Sequence, residues 1–302
     1  MQSQTTKTWV QGSTSPYQLH DITRFPDWGC LIILDAFFNN LASALMICTG
    51  VVWFAAGALM NGILPVALTC TLIFLIVDLC ILVADLGSPH RFFHSLRVMR
   101  FTSPLSVGVW GLSCLGISLG VATIAAWIYF CIPEQASLCS YIVAAIMRLG
   151  IVMALIAAVV VICYKGVVFS CSSQPGLCQA RWLTPFMVSD SLLMGLGVLG
   201  VIAIICSPAM DINLAFILPV IVLICARCIT FGLLWQDVKY RARIINTKGA
   251  NLRVRLCVYV GGGLIALGLL FCGPIGFTIS ALLFLVAGIH ERRWLIELAR
   301  PK

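Results

Sequence analysis

Asp35, Asp78, Arg148, Asp190 and Arg227 each stand inside a long apolar run. A charge in such surroundings is costly, and where one persists it generally binds or carries something. Three of the five are carboxylates, which can take up and release protons. At a rise of about 1.5 Å per helical residue, Asp35, Asp78 and Asp190 lie roughly 10 Å or less from one common face, with Arg227 somewhat deeper. Asn39 follows Asp35 by one turn and Asp85 follows Asp78 by two, so each pair shares a helix face. Two readings are open. One is a buried polar site whose carboxylates pass protons and which opens toward that face. The other is mutual neutralisation of Arg227 and the aspartates, holding helices together. Arg148 lies nearer the opposite face, where Asp211 is its candidate partner, and reads as structural.

A second concentration of chemistry lies in the polar stretch from Asp85 to Arg100. Ser88 followed by Pro89 reads as a helix N-cap and first helical residue. In the short helix that would follow, Phe92, Phe93, Leu96 and Met99 cover one side. His90, Arg91, His94 and Arg97 fall largely on the other, as in an interfacial amphipathic helix. Its N-terminus would favour an anion or a polarised carbonyl, and its histidines would exchange protons near neutral pH. The plainer reading is a solvated basic loop that sets topology.

The elements that must position these residues follow from composition. Hydrophobic residues make up 61% of the 302, charged residues only 10%, and mean hydropathy is +1.05. A soluble domain carries about 25% charged residues, so a soluble enzyme, a nucleic-acid binder and a disordered chain are excluded. The apolar runs are continuous rather than alternating, which excludes a β-barrel. The fold class is therefore an all-α integral membrane protein. Eight runs are long enough to cross a bilayer, at roughly 28–58, 63–84, 104–131, 139–168, 184–206, 212–236, 254–273 and 275–297. The last two are separated only by Gly273-Pro274-Ile275-Gly276. The expected organisation is a polar tail over 1–27, a transmembrane bundle over 28–297 and a short tail over 298–302. The first segment lacks a basic stretch followed by a short apolar core, so no cleavable signal peptide is expected. A weak echo between Ser103-Pro104 and Thr184-Pro185, each opening a span, is too slight to establish a repeat.

Eight spans place both termini on one face, here face A. Of the 19 Lys and Arg, all but Arg148 and Arg227 are assigned there, from Lys7 to Lys302, including Lys165 and Arg292 near the face-A ends of their spans. The opposite face, B, carries only Glu134 and Asp211. The excess of bases on cytoplasmic loops then puts face A, with the Asp85–Arg91 loop, in the cytoplasm. A basic face would also dock an acidic partner.

None of the four histidines lies deep in a span, so no haem is expected in this chain, since haem needs axial ligands facing each other within the bundle. Nor is an iron–sulfur cluster, because the 15 cysteines are scattered. The one C-x2-C, Cys225 to Cys228, lies within span six and reads as small apolar filler. Cys131 and Cys139 flank the larger face-B loop and would form a disulfide if that face is oxidising.

Asp85-Leu86-Gly87-Ser88-Pro89-His90-Arg91-Phe92, followed by Ser103-Pro104-Leu105-Ser106-Val107-Gly108-Val109-Trp110, resembles a known signature. It is the D-L-G-x-P-x-R-F … S-P-x-S-x-G-x-W pattern of the NrfD/polysulfide-reductase membrane-subunit family. Tyr164-Lys165-Gly166 resembles the family's Y-x-G at the end of span four. The Pro185-Phe186 to Gly197 region resembles the start of span five, and Glu291-Arg-Arg-Trp294 its E-R-x-W ending. The resemblance implies an eight-helix quinone-reactive anchor with no redox cofactor of its own. Its partners would be a four-cluster ferredoxin-like iron–sulfur subunit and a molybdopterin catalytic subunit. It would exchange electrons with menaquinone or ubiquinone in a prokaryotic inner membrane.

On that footing His90, His94, Asp35, Asp78 and Asp190 would handle protons. Asn39, Asp85, Arg91 and Arg227 would bind the quinone among spans one, two, five and six, and the partners would dock on the basic face. Two departures stand out. Asn39-Asn40 occupies a position where many relatives have a small G-G pattern. The charge count also puts the signature loop inside, whereas familiar respiratory relatives place it outside. Competing readings are a secondary transporter or proton-conducting protein, and a purely structural anchor. The charges lie toward one face rather than at the midplane, and no inverted repeat is evident, which disfavours the transporter.

Overall fold

The computed structural model describes residues 29–57, 62–85, 97, 99–132, 138–171, 177, 180–207, 214–244 and 248–299. Among these every regular element is helical, and eight helices are long and apolar enough to cross a membrane. They are α1 (Cys30–Ala56), α2 (Leu64–Asp85), α3 (Pro104–Cys131), α4 (Leu138–Cys171), α5 (Leu183–Cys206), α6 (Leu214–Ile244), α7 and α8 (Gly273–Ala299). In α7 an α-helical start, Lys248–Arg255, passes into a π-helical stretch, Leu256–Ile265, and ends as Ala266–Leu269.

The termini of these helices follow local chemistry. Ser103 caps α3, accepting from the Ser106 backbone N–H at 3.5 Å, with Pro104 in the first turn, where its missing N–H costs nothing. The Ser106 hydroxyl in turn accepts from the Arg100 N–H at 3.0 Å. The S-P-x-S part of the signature is thus a helix start. Between α7 and α8 the chain reverses through Gly273, whose φ of 73° favours glycine, so the turn is tighter than the expected four residues. Helix α6 runs beyond the expected end near 236, because hydropathy stops there while good helix formers continue. The π-helical stretch of α7 went unforeseen, since Gly261-Gly262-Gly263 reads as ordinary apolar sequence.

The bundle has two halves. Helices α1–α4 share a core built on Leu68, Leu112, Leu119, Ala154 and Ala158. Helices α5–α8 pack with α1 around Leu45, Leu193, Phe277 and Phe284. Toward the α8 C-terminus lies an aromatic group, Phe186, Phe231, Tyr259 and Trp294. Helices α1 and α5 are the most enclosed and join the halves. Gly195 on α5 sits so close to α1 that a Cβ there would meet the Ala44 carbonyl carbon at 2.6 Å. The outer surface is apolar, with Ile117, Ile124, Leu149, Ile156, Leu218 and Val222 exposed, as expected where lipid is the solvent.

Candidate functional site

The buried charges gather in two clusters, one in each half. In the first, the Lys165 ammonium of α4 pairs with Asp35 of α1. One turn further along α1, Asn39 Nδ2 donates to Asp78 Oδ2 of α2 at 2.9 Å. Asn39 and Asp78 are fully buried, and Asp35 and Lys165 nearly so. Among the described residues Asp78 has no ion-pair partner; it accepts from the Asn39 amide, with Asp35 and Lys165 close enough to act on it electrostatically.

In the second cluster, Asp190 of α5 is held by two guanidiniums. Arg227 Nε of α6 lies 2.9 Å from its Oδ1, and Arg292 of α8 pairs with its Oδ2. Arg227 also pairs with Glu291, and Arg292 donates to Ser191 Oγ at 3.0 Å and to the Gly288 carbonyl at 3.1 Å. Arg227 fits because Gly262 of the π-helical stretch has no side chain; a Cβ there would collide with its guanidinium. Two acids and two bases leave this cluster neutral. The first holds two acids and one base.

The arrangement repeats. Each half places an aspartate near the start of its first helix, Asp35 or Asp190, and a base near the end of its last, Lys165 or Arg292. Each then pairs the two. Such pairs form only if the start of α1 and the end of α4, like the start of α5 and the end of α8, lie at the same end of the bundle. The residues therefore occupy one layer, within about two helical turns of that end. This correspondence between halves is far clearer than the Ser103/Thr184 echo in the sequence.

Buried polar atoms normally have partners. Here several in or beside the layer have no hydrogen-bond partner among the described residues: Asp35 Oδ1, Asn39 Oδ1, both side-chain atoms of Asn40, Asp78 Oδ1, Arg227 Nη1 and Glu291 Oε2. A cavity of about 270 Å³ also opens beside the layer, between Phe101, Thr102 and Pro104 at the start of α3 and Cys163, Tyr164 and Val167 on α4. Tyr164 forms its inner wall, with Lys165 Nζ 5.2 Å from the ring centroid. The ring rests on Gly108, where a Cβ would strike it. The glycine of the signature thus seats the tyrosine of the Y-x-G segment.

Of the expected site residues, Asp35, Asn39 and Asp78 come together in one cluster, and Asp190 and Arg227 in the other. Asp85 ends α2 on the exposed surface. His90, Arg91 and His94, with most of the expected interfacial helix, lie outside the described residues. Lys165 and Arg292, counted among the surface bases of face A, are instead buried and paired. Sequence reading also missed Glu291 as a partner for Arg227. A signal existed: Lys165 continues the buried stripe Ala154, Ala158, Val161 to Phe169, and Glu291 continues Phe277, Phe284, Ala287 to Leu295. Arg148 is exposed, and Asp211 lies outside the described residues. Cys131 and Cys139 are free thiols rather than a disulfide.

A multi-pass helical bundle with a buried layer of paired charges and amides at one end defines a membrane protein built around polar chemistry in apolar surroundings. The family described as polysulphide reductase, NrfD, matches residues 21–270, and the chain belongs to it. It is a membrane subunit of the kind found in molybdopterin oxidoreductase complexes. No curated relative matches the chain. The family match ends ahead of α8, so Glu291 and Arg292 complete the second cluster from outside the matched region.

Proposed function

We propose that the chain is the quinone-reactive anchor of a multi-subunit oxidoreductase, passing electrons between a quinone pool and an iron–sulfur partner that carries a molybdopterin catalytic subunit. The observation that carries this reading is the buried layer of carboxylate and amide atoms that have no hydrogen-bond partner among the described residues, in a chain of this family. The residues present fit a quinone, menaquinone or ubiquinone. Asn40 Nδ2 and Arg227 Nη1 are buried donors able to bond a carbonyl oxygen, and Asp78 Oδ1 is a buried acceptor. When bound, the quinone supplies the two-electron, two-proton couple.

The chain's own residues do the rest. Asn39 fixes the Asp78 carboxyl through Oδ2, leaving Oδ1 to take up or release a proton. Lys165 holds Asp35 in place beside it. In the second cluster Asp190, clamped by two guanidiniums, serves to orient Arg227 rather than to carry protons. Tyr164 and the cavity at α3 and α4 give an apolar approach from the side of the bundle. Asp85 ends α2, and in this reading it and His90, Arg91 and His94, which follow it in the sequence, relay protons to water and contact the headgroup. The bias of Lys and Arg in the sequence toward the loops on face A supports a cytoplasmic orientation for this end in a prokaryotic inner membrane, with the four-cluster partner docking on that basic face.

Replacing Asp78 with Asn keeps the shape and the bond to Asn39 but removes the titratable oxygen. Quinone-linked turnover of the purified complex should fall by about 10²-fold or more, while reduction of an artificial dye by the same complex is unchanged. Wild-type quinone activity in the Asp78→Asn complex would remove Asp78 from the proton path.

A further inference from the structure

Asn40 of α1 is fully buried, and neither its Oδ1 nor its Nδ2 has a hydrogen-bond partner among the described residues. A buried amide left without partners is costly, and such groups are normally satisfied by protein or by ordered water. Two close backbone approaches fix its place in the bundle. Lys165 of α4 pairs with Asp35 near the start of α1, and a Cβ on the next residue, Gly166, would meet Thr184 Cα at the start of α5 at 2.7 Å. The starts of α1 and α5 therefore lie together, and the two helices run in the same sense. Further in, Gly195 of α5 lies against α1, where a Cβ would come within 2.9 Å of Ala44 Cβ. One helical turn back from this contact on each helix brings Asn40 opposite Ser191. Asn40 thus stands at the seam between the two halves. Its neighbour Asn39 bonds Asp78 in one cluster, and Ser191 joins the other by accepting from Arg292.

The donors and acceptors on the two sides decide what fits there. Ser191 donates its one proton to the Met187 carbonyl and accepts from Arg292 Nη2 at 3.0 Å, which leaves one lone pair on Oγ. Asn40 Oδ1 is likewise an acceptor in need of a donor. Two acceptors across a seam need a molecule that donates twice. A quinone carbonyl or a simple anion donates nothing, and the close approach at Ala44 and Gly195 one turn away favours the smallest double donor. We propose that an ordered water is bound in the seam between α1 and α5. It donates one proton to Asn40 Oδ1 and the other to Ser191 Oγ, and accepts from the Asn40 N–H on the same edge of the amide. Three hydrogen bonds are the usual complement of a buried water. The second N–H of Asn40 stays available to a quinone carbonyl, so the water stands or falls independently of quinone chemistry. Asn40 is then a positioning residue. It holds the molecule that ties α1, whose Asn39 fixes Asp78, to α5, whose Ser191 receives Arg292.

The test is a cryo-electron-microscopy map of the full chain, purified from native membranes with whatever partners accompany it, at a resolution that shows ordered waters. A single peak should lie within hydrogen-bond distance of both Asn40 and Ser191. It should be lost in Asn40→Leu, which keeps the size of the side chain but not its polar atoms. It should persist in Thr49→Val, which alters another buried polar residue of the same helix nearer its far end. Absence of the peak in the wild-type map would overturn the proposal. So would a direct bond from Asn40 to a protein group, a ring in place of the water, or a peak that survives Asn40→Leu. If Asn40→Leu does not fold, the wild-type map decides together with Ser191→Ala, which removes one of the two acceptors and should weaken or abolish the peak; an undiminished peak there refutes the bridge.

Discussion

Asp35, Asp78 and Asp190 lie at similar depth yet keep different company. Asp35 faces one ammonium, Asp190 two guanidiniums, and Asp78 an amide. We propose that this difference divides their work, Asp78 exchanging the proton while the ion-paired Asp35 and Asp190 hold the neighbouring side chains in place. The ion pair between Asp35 and Lys165 is read as structural support for Asp78. Lys165→Met would strand a buried carboxylate and should destabilise the protein by about 3–5 kcal/mol. Adding Asp35→Asn removes the stranded charge, so the double variant should recover most of the loss in thermal unfolding of the detergent-solubilised protein. A double variant no more stable than Lys165→Met would show that the two side chains are not coupled.

At the scale of elements, the site depends on helices that approach closely and in one register. Gly195 lets α5 lie against the α1 backbone, which brings the two charge clusters to adjoining faces. Gly195→Leu should cost about 1–3 kcal/mol by overpacking, seen as a lower melting temperature; an unchanged melt would mean that the two helices can separate without cost. Much of this level was legible in sequence. Span lengths follow from apolar runs, and the shared depth of Asp35, Asp78 and Asp190 follows from counting residues to the span ends. The pairings were not legible, because they depend on which helix lies beside which. Arg227 was a recognisable intramembrane charge, but Arg292 was counted with the bases of face A and Glu291 was given no partner, although both lie on the buried part of α8. The π-helical stretch that admits Arg227 beside Gly262 carries no periodic signal.

For the whole molecule, the two halves each bring one charge cluster to the same end, the end to which the proposed orientation assigns the surface bases. The bias of bases toward the cytoplasm predicts that a reporter fused after Lys302 is active only as a cytoplasmic reporter. Activity confined to an exported reporter would reverse the orientation and move the partner subunits to the outer face. The central claim, that this bundle couples a quinone to an iron–sulfur partner, is tested most directly by purifying the tagged chain from native membranes in mild detergent. The preparation would be assayed for co-purifying proteins, iron, molybdenum or tungsten, and quinone. The account predicts a ferredoxin-like partner with iron in multiples of about four per partner, and extractable quinone. A chain that purifies alone, without metal or quinone, would contradict it.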